Sequence, residues 1–275
     1  MGEITEALRR AGLQENSAHS WDTEREGDRA PAPISRSTEG FWRARAVVVD
    51  VPGPHVDQFR HFALQVRRKL EERRACSVLV TSAIPGEGKT VVACNLALAL
   101  ASMAGESRIA LVDLDLRRPS VSSVMGITPD TGVESVLRGE TSVGATRVRT
   151  DVPALDVFPV ARSVPRAHEI LARPALRSLI HEVSKHYATV VFDSPPTLTV
   201  PDVALIAQHV DACVLVARAG VSRRLQFSEM VTMLPPKCLI GTFLNFSSQP
   251  RHNAYYKYYQ GDPEAEGSSA AEAGD

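Results

Sequence analysis

The chain has 275 residues, with 44% hydrophobic and 23% charged residues and a formal net charge of −1. These values are typical of a globular α/β protein with a sizeable core, and the near-zero charge gives no electrostatic support for nucleic acid or an anionic membrane as the main partner. The polar start of the chain does not resemble a signal peptide, and the longest apolar stretch, Val91–Ala104, is too short to span a bilayer.

Four cysteines stand singly along the chain, without the spacing of metal ligands: Cys76, Cys94, Cys213 and Cys238. Most of them lie within apolar runs. They are interpreted as reduced thiols of the core of a cytosolic protein.

The chain divides into three predicted regions. Residues 1–45 combine a short helix with a polar linker, residues 46–246 form the folded domain, and residues 247–275 form a disordered tail. In the first region, Ile4 and Leu8 share one helical face with other apolar residues. This favours a weakly formed docking helix, and a membrane-surface helix is the alternative.

The predicted elements alternate along the folded domain. Apolar residues at three- and four-residue steps predict a first helix over Val56–Arg73, and β-branched residues predict a strand at Ser77–Thr81. A glycine-rich loop and a buried helix over Val91–Ala104 follow. The further predicted strands are Ile109–Asp113, Leu155–Val160, Thr189–Asp193, Ala212–Ala217 and Leu239–Leu244, and the further helices are Gly132–Leu137, Pro174–His186, Val203–Gln208 and Leu225–Met233. Near-continuous apolar strands separated by helices predict a mostly parallel sheet covered by helices on both faces.

The glycine-rich loop reads Ala-Ile-Pro-Gly-Glu-Gly-Lys-Thr from Ala83 to Thr90. Between a strand and a helix, such a loop binds phosphates, because its backbone N–H groups and the helix N-terminus point at the anion. Lys89 is predicted to meet the β- and γ-phosphates and Thr90 to bind Mg²⁺. Ala83 replaces the first glycine of the strict motif. The sequence therefore predicts a nucleoside triphosphate bound by Ala83, Pro85, Gly86, Glu87, Gly88, Lys89 and Thr90.

Two carboxylates follow the second predicted strand. Asp113 and Asp115 stand two residues apart at its carboxyl end, and Arg117 follows them before Pro119. Mg²⁺ with bound phosphates prefers such oxygen ligands. Asp113 is predicted to touch the metal or act as a base, Asp115 to hold a metal-bound water, and Arg117 to meet a phosphate or a carboxylate. The structural alternative is a strand end with solvated charges.

Further polar residues end the later strands. Asp193 closes an apolar strand before two prolines, where P-loop proteins hold Mg²⁺, usually through water. Asp202 stands at a predicted helix start and is interpreted either as an N-cap or as part of the site. Asn245 ends the last strand, where its amide could read an adenine edge or cap a turn.

The chain has five tyrosines, and four of them lie within five residues of the tail: Tyr255, Tyr256, Tyr258 and Tyr259. Their neighbours are mostly polar, so burial in a core is hard to arrange. A strand docked on the body is one interpretation. The favoured one is that the tail hydroxyls are substrates for the γ-phosphate.

Together these motifs resemble the bacterial tyrosine kinases, autokinases that regulate capsule and exopolysaccharide synthesis. The loop Ala83–Thr90 resembles the family's first Walker motif, Asp113-x-Asp115-x-Arg117 its distinctive second one, and Phe192–Pro196 its Walker B. The resemblance runs from about Val56 to Gly261. It implies a P-loop NTPase fold of the MinD/ParA type.

The resemblance also implies roles and partners. Lys89 and Thr90 would hold the phosphates of ATP and Mg²⁺, Asp113 would accept the tyrosine proton, and Asp115 and Asp193 would hold the metal. The tail tyrosines would be phosphorylated, with transfer expected between neighbouring copies in a homo-oligomer. The expected setting is cytoplasmic, at the inner face of the membrane, with a membrane adaptor of the polysaccharide co-polymerase type as activator. Other polysaccharide-synthesis proteins would be further substrates.

Two alternatives stay open at the level of sequence. A ParA/MinD-type positioning ATPase would share the fold, but it would carry a second lysine where this loop has Ile84. A non-catalytic, nucleotide-gated scaffold for polysaccharide assembly is the other. One departure from the kinase family concerns its ring-forming helix motif of Glu with Arg three and six residues on. The aligned residues here are Asp57, Arg60 and Ala63, which weakens the expectation of a ring.

Overall fold

The computed structural model of the protein describes residues 32–33, 54–235 and 237–247. The predicted N-terminal docking helix and the tyrosine cluster lie outside these residues. The described helices are α1 Pro54–Arg73, α2 Lys89–Ser102, α3 Val121–Met125, α4 Val133–Arg138, α5 Ala167–Leu171, α6 Pro174–His186, α7 Asp202–Ala207 and α8 Arg224–Met233. The described strands are β1 Ser77–Ser82, β2 Ile109–Asp113, β3 Val148–Arg149, β4 Leu155–Phe158, β5 Thr189–Asp193, β6 Ala212–Arg218 and β7 Leu239–Asn245.

The described strands form one sheet in the order β3-β4-β2-β5-β1-β6-β7. Every neighbouring pair is parallel except β3 and β4, which are antiparallel. Because the central strands are parallel, their carboxyl ends meet at the same edge of the sheet, where ligands bind in folds of this type. The predicted mostly parallel sheet is confirmed.

Helices cover both faces of the sheet, as the sequence predicts. In β1, Val78 and Val80 face a core that also contains residues of α1, α2 and α3, whereas Leu79 faces a second core with residues of α4 to α8. The inner strands β1, β2 and β5 are buried along their whole length, which explains why their sequences are almost continuously apolar. None of the described helices is both long and apolar enough to cross a membrane.

Element boundaries differ from the predictions at a few places. β4 ends at Phe158 rather than Val160, because Pro159 has no N–H for the ladder. The short elements α3, α5 and β3 are not predicted, since two to five residues are too few to show a hydrophobic period. Within the predicted linker, Ala32 forms a parallel bridge with Thr150, and its N–H donates to the carbonyl of Arg149 at 2.9 Å.

The structure shows where α1 places the three residues aligned with the family's ring-assembly motif. Asp57 and Arg60 form an exposed ion pair at 3.4 Å on α1. Ala63, at the place of the family's second arginine, is fully buried in the core that contains α1 and α2. An arginine at this position would therefore bury its charge among apolar side chains, so the alanine fits the packing of this chain.

A substitution at Gly132 tests the close packing between the start of α4 and the chain that follows β4. A Cβ atom there would lie 2.3 Å from the backbone nitrogen of Ala161 and 2.4 Å from the Glu134 Oε2 atom. We expect Gly132→Ala to lower the free energy of unfolding by about 1–3 kcal/mol, because the backbone of Ala161 cannot move aside as the end of a flexible side chain can. Gly241→Ala in β7, where a Cβ would meet nothing within 4 Å, is the matched control in denaturant unfolding. Equal stabilities of the two variants would contradict this packing.

Candidate active site

The carboxyl ends of β1, β2 and β5 place the predicted motifs next to one another. Asp113 and Asp193 are directly paired residues of the parallel strands β2 and β5, and Val80 of β1 pairs with Asp193 on its other side. The glycine-rich loop continues from β1 into α2 at this same edge. Residues that are separate in the sequence therefore meet because the strand order interleaves them.

The glycine-rich loop needs its glycines for backbone reasons. Gly86 has φ 85° and Gly88 φ 90°, in the left-handed region that side chains rarely adopt. Gly88 directly precedes Lys89, the first residue of α2, so the loop ends at the amino terminus of a fourteen-residue helix. This is the arrangement in which backbone N–H groups and the helix dipole attract phosphates.

The Glu87 side chain turns into the protein and holds the loop from inside. It is 1% exposed, and its Oε2 atom accepts a hydrogen bond from the Ile84 N–H at 2.9 Å. Ser222, in the loop after β6, donates from its hydroxyl to Glu87 Oε1. The Glu87 side chain thus stabilises the shape of the loop. The predicted contact with phosphates is left to the loop backbone and to the residues next to Glu87.

Two further side chains brace the same loop. The Asn245 amide donates to the Glu87 carbonyl at 3.0 Å, and the Arg218 guanidinium donates to the Gly86 carbonyl at 3.1 Å. Asn245 is therefore a loop-bracing residue, and the reading of an adenine edge stays a prediction. Sequence reasoning missed Arg218 and Ser222, because no spacing or motif indicates that the end of β6 and the loop after it lie beside the glycine-rich loop.

Lys89 and Thr90 face the carboxylates. The Lys89 Nζ atom lies 2.9 Å from Asp115 Oδ2 and 4.0 Å from Asp193 Oδ1. The Thr90 hydroxyl donates to Asp193 Oδ2 at 2.7 Å. Burial disfavours the charged ammonium, but the carboxylates of Asp193 and Asp115 outweigh it and raise the pKa of Lys89. Lys89 is therefore held in its charged form.

Asp113 holds the chain after β2. One of its oxygens accepts the Asp115 N–H at 3.0 Å, and the other accepts the N–H groups of Ser120 and Val121, each at 3.2 Å. The side chain is fully buried. Burial, followed by the neighbouring charges of Asp193 and Asp115, raises the pKa of Asp113 well above its usual value. Asp113 is thus a loop-holding group as well as a candidate base.

Asp193 has one carboxylate oxygen with no hydrogen-bond partner. Its Oδ2 atom is bonded to Thr90, but the buried Oδ1 atom accepts no hydrogen bond. Burial raises the pKa of Asp193, although Lys89 and the Thr90 hydroxyl partly offset the rise. The Lys89 ammonium lies 4.0 Å from this oxygen, too far for a hydrogen bond. A buried carboxylate oxygen in this position is unfavourable unless a closer cation satisfies it.

The oxygen atoms at this site fit Mg²⁺ by their chemistry. They come from carboxylates and from the Thr90 hydroxyl, the hard donors that Mg²⁺ prefers. Among the described residues, no three His, Cys, Asp or Glu side chains are close enough to enclose a metal on their own. This agrees with the usual behaviour of Mg²⁺, which takes one or two carboxylates and completes its shell with water and substrate phosphates.

Arg117 forms an ion pair with Asp202 beside the site. Its Nε atom lies 2.7 Å from Asp202 Oδ2, its Nη2 atom lies 3.2 Å from Oδ1, and its Nη1 atom donates to the Pro165 carbonyl at 2.7 Å. The interpretation of Asp202 as an N-cap is wrong, because α7 begins at Asp202 with Pro201 before it and no side-chain cap. The arginine connects the chain segments that follow β2, β4 and β5. Its contact with a phosphate stays a prediction.

Comparison with known protein families supports this geometry. A family model described as an AAA domain matches residues 78–220, slightly more than half of the chain. The chain belongs to this family. The match spans β1 to the loop after β6 and thus includes the glycine-rich loop and the carboxylates.

Individual relatives show which members of this family the chain is similar to. The chain is 29% identical to the tyrosine-protein kinase YwqD of Bacillus subtilis over 204 residues, which are 74% of this chain and 85% of YwqD. It is 30% identical to the succinoglycan biosynthesis transport protein ExoP of Rhizobium meliloti over 187 residues, 66% of this chain and 24% of ExoP. The predicted resemblance to bacterial tyrosine kinases is confirmed.

Solved structures agree with the fold. The kinase domain of VpsO is 28% identical and superposes with a TM-score of 0.62, covering 70% of this chain and 95% of that domain. The cell division ATPase MinD of Pyrococcus furiosus, 23% identical, gives a TM-score of 0.52 over 62% of this chain and 71% of MinD. The latter shows the shared fold alone, and the predicted P-loop fold of the MinD type is confirmed.

The two central aspartates should respond in opposite ways to loss of charge. We expect Asp193→Asn to raise the free energy of unfolding of the ligand-free protein by about 0.5–2 kcal/mol, because it removes a costly buried charge. Asp113→Asn should instead lower it by about 1–3 kcal/mol, because an amide NH₂ would face backbone N–H groups. Denaturant unfolding of both variants without nucleotide checks this. A less stable Asp193→Asn variant together with a more stable Asp113→Asn variant would contradict the assigned environments.

The ion pair between Arg117 and Asp202 should contribute to stability. Asp202 is 1% exposed and the Arg117 side chain 26% exposed, so solvent screens the pair only in part. We expect Asp202→Asn to lower the free energy of unfolding by about 1–3 kcal/mol. Glu169→Gln is the matched control, since Glu169 pairs with Arg166 at an exposed site where a change below about 0.5 kcal/mol is expected.

Proposed function

We propose that the protein is an ATP-dependent protein-tyrosine kinase that regulates the synthesis and export of exopolysaccharide or capsule. One observation carries the proposal: Lys89, Thr90, Asp115 and Asp193 converge at the end of a phosphate-binding loop. The names of the relatives support it, since one is a tyrosine-protein kinase and another is a succinoglycan biosynthesis transport protein.

The residues of the loop would bind and orient the triphosphate. The backbone N–H groups of the loop and the amino end of α2 would hold the phosphates, and the Lys89 ammonium would neutralise charge on the β- and γ-phosphates. To do so, Lys89 would leave its 2.9 Å contact with Asp115, whose carboxylate would then be available to the cation. Thr90 and Asp193 would likewise give up the hydrogen bond between them, so that their oxygen atoms would be available to the cation.

Mg²⁺ would supply charge neutralisation and a fixed geometry for the transferred phosphoryl group. Thr90, Asp115 and Asp193 are the proposed residues that hold it, together with Asp113 from the edge of the site. The Asp193 oxygen without a hydrogen bond is the observation that favours a cation here.

Asp113 is the proposed acceptor of the tyrosine proton. A free aspartate has a pKa of about 3.9 and is a weak base for a phenol of pKa about 10. The raised pKa of Asp113 brings it nearer to the range in which a carboxylate can take a proton at neutral pH. Proton transfer would still come late, because phosphoryl transfer depends mainly on positioning and on charge neutralisation.

The tail supplies the proposed acceptor hydroxyls. Tyr255, Tyr256, Tyr258 and Tyr259 follow the last described strand by ten to fourteen residues in the sequence. We propose that neighbouring copies in a homo-oligomer phosphorylate each other, that a membrane adaptor of the polysaccharide co-polymerase type activates the kinase at the inner face of the cell membrane, and that other polysaccharide-synthesis proteins are further substrates. The protein itself would be cytoplasmic.

A positioning ATPase of the ParA/MinD type is the weaker candidate. Its second lysine would stand at Ile84, whose side chain here packs against the core. The tyrosine-rich tail has no role in such an ATPase. The presence of all the residues that catalysis would use argues against a scaffold that only responds to nucleotide; these are Lys89, Thr90, Asp113, Asp115 and Asp193.

Mixing two variants tests the kinase and the direction of transfer. A Lys89→Met chain keeps its tyrosines but should lose transfer activity by at least a hundredfold, because it lacks the phosphate-binding charge. A chain with all four tail tyrosines changed to Phe keeps the site but lacks acceptors. We expect ATP and Mg²⁺ to label the Lys89→Met chain only when the second chain is present.

Mass spectrometry of the tail reads out this experiment, with the activator's cytoplasmic segment included. Absence of label in the mixture, with label in the unmodified protein, would reject transfer between copies. Absence of phosphotyrosine in both would reject the kinase. ATP hydrolysis without phosphotyrosine would then favour the positioning ATPase, and nucleotide binding without hydrolysis the scaffold.

A further inference from the structure

Two cysteines lie side by side at the end of the sheet opposite the candidate active site. Cys213 is the second residue of β6, and Cys238 directly precedes β7, its neighbour in the sheet. The Cys213 N–H donates to the Cys238 carbonyl at 2.8 Å. Both cysteines are free thiols.

The strand geometry brings the two residues within the reach of a disulfide. Cys213 pairs directly with Leu239, so Cys238 is displaced from it by one residue. Neighbouring strands are about 4.8 Å apart and residues rise by about 3.3 Å, which gives a Cα separation of roughly 6 Å. Disulfides span Cα separations of about 4.4–6.8 Å. Both side chains belong to the same core, so they lie on the same face of the sheet.

A cation stands beside Cys238. The Arg73 guanidinium, at the end of α1, donates to the Lys237 carbonyl at 2.7 Å and to the Leu239 carbonyl at 3.4 Å, and so holds both neighbours of Cys238. Hydrogen bonding from the Cys213 thiol lowers the pKa of Cys238 to about 7 although burial opposes the shift, and the charge of Arg73 adds a smaller lowering. A thiolate in such a setting is the reactive form of cysteine.

The other described cysteines lack this environment. Cys94 is fully buried in α2, and burial raises the pKa of its thiol. Cys76 is partly exposed, but burial and the charge of Asp211 raise the pKa of its thiol. Cys238 keeps 7% of its surface exposed, whereas Cys213 has none, so a small oxidant would reach Cys238 first.

We propose that Cys213 and Cys238 are a redox-active pair that closes to a disulfide when the protein meets a peroxide. The Cys238 thiolate would attack the peroxide oxygen, which breaks the O–O bond and leaves a sulfenic acid and, with one proton, a water molecule. The Cys213 sulfur would then attack the Cys238 sulfur, forming the S–S bond and releasing a second water. Two thiols lose two electrons in total, and one hydrogen peroxide becomes two waters.

The disulfide would fasten an edge strand. β7 has only β6 as a described neighbour, and its Phe243 ring packs against Phe59 and Phe62 of α1 with ring centres 5.2 and 4.8 Å apart. A covalent bond at the start of β7 would link it directly to β6 and so oppose the separation of the two strands. It would also restrict the unfolded chain between the two cysteines. The oxidised protein should therefore unfold at a higher temperature than the reduced protein.

Peptide mapping tests the proposal directly on the full-length protein. Reduced protein is treated with hydrogen peroxide, remaining thiols are alkylated in denaturant, and the chain is digested with trypsin without reductant. Cleavage after Arg218 and Lys237 leaves Cys213 and Cys238 on separate peptides, so a disulfide appears as a cross-linked pair. We expect this pair in peroxide-treated protein, its loss after dithiothreitol, and a higher unfolding midpoint in the oxidised sample.

Matched variants show whether the cross-link depends on these two thiols. Cys76→Ser should leave the cross-linked pair intact, whereas Cys238→Ser should abolish it and leave Cys213 alkylated. Lys89→Met should form the pair as the unmodified protein does, which separates this proposal from the proposed kinase activity. Alkylation of both Cys213 and Cys238 after peroxide treatment, or a cross-link between Cys238 and Cys76, would overturn the proposal, also in a case where Cys238→Ser fails to fold.

Discussion

One lysine faces three buried carboxylates at the edge of the sheet. Lys89 contacts Asp115 directly and Asp193 at longer range, and Asp113 lies behind them, so the cluster carries more negative than positive charge. Burial first, and then the neighbouring carboxylates, raise the pKa values of Asp113 and Asp193, because a charged carboxylate is costly in a low-dielectric interior. A divalent cation bound here would lower this cost. The cluster therefore supports the proposed Mg²⁺ site.

Hydrogen bonds hold the glycine-rich loop from two sides. Glu87 ties the loop to itself through Ile84, and Ser222, Arg218 and Asn245 reach it from the chain around β6 and β7. A loop that keeps its shape before the ligand arrives loses little entropy on binding. The strand order explains the arrangement, because β6 lies directly beside β1, from which the loop emerges.

The sequence predicts most strands within one or two residues, because buried parallel strands are continuous apolar runs that end in polar residues. The sequence also predicts that Lys89, Asp113 and Asp193 lie at one edge of the sheet, since the carboxyl ends of parallel strands meet there. It does not reveal that Asp202 pairs with Arg117 or that Asn245 holds Glu87. Those partners lie 85 and 158 residues apart in the chain, and only the packed fold decides which pairs meet. The sequence alone also does not explain why Ala63 stands where the family has an arginine. The structure does, because Ala63 is fully buried.

β7 connects three features that the sequence presents separately. The residue before it, Cys238, lies beside β6, its Phe243 ring packs against α1, and its last residue, Asn245, donates to the phosphate-binding loop. An edge strand has hydrogen-bonding neighbours on one side only, so it separates from a sheet more easily than an inner strand. If β7 separated from β6, the loop would lose the Asn245 contact. The pairing of β7 with β6 therefore supports one of the contacts that hold the glycine-rich loop, beside those of Glu87, Ser222 and Arg218.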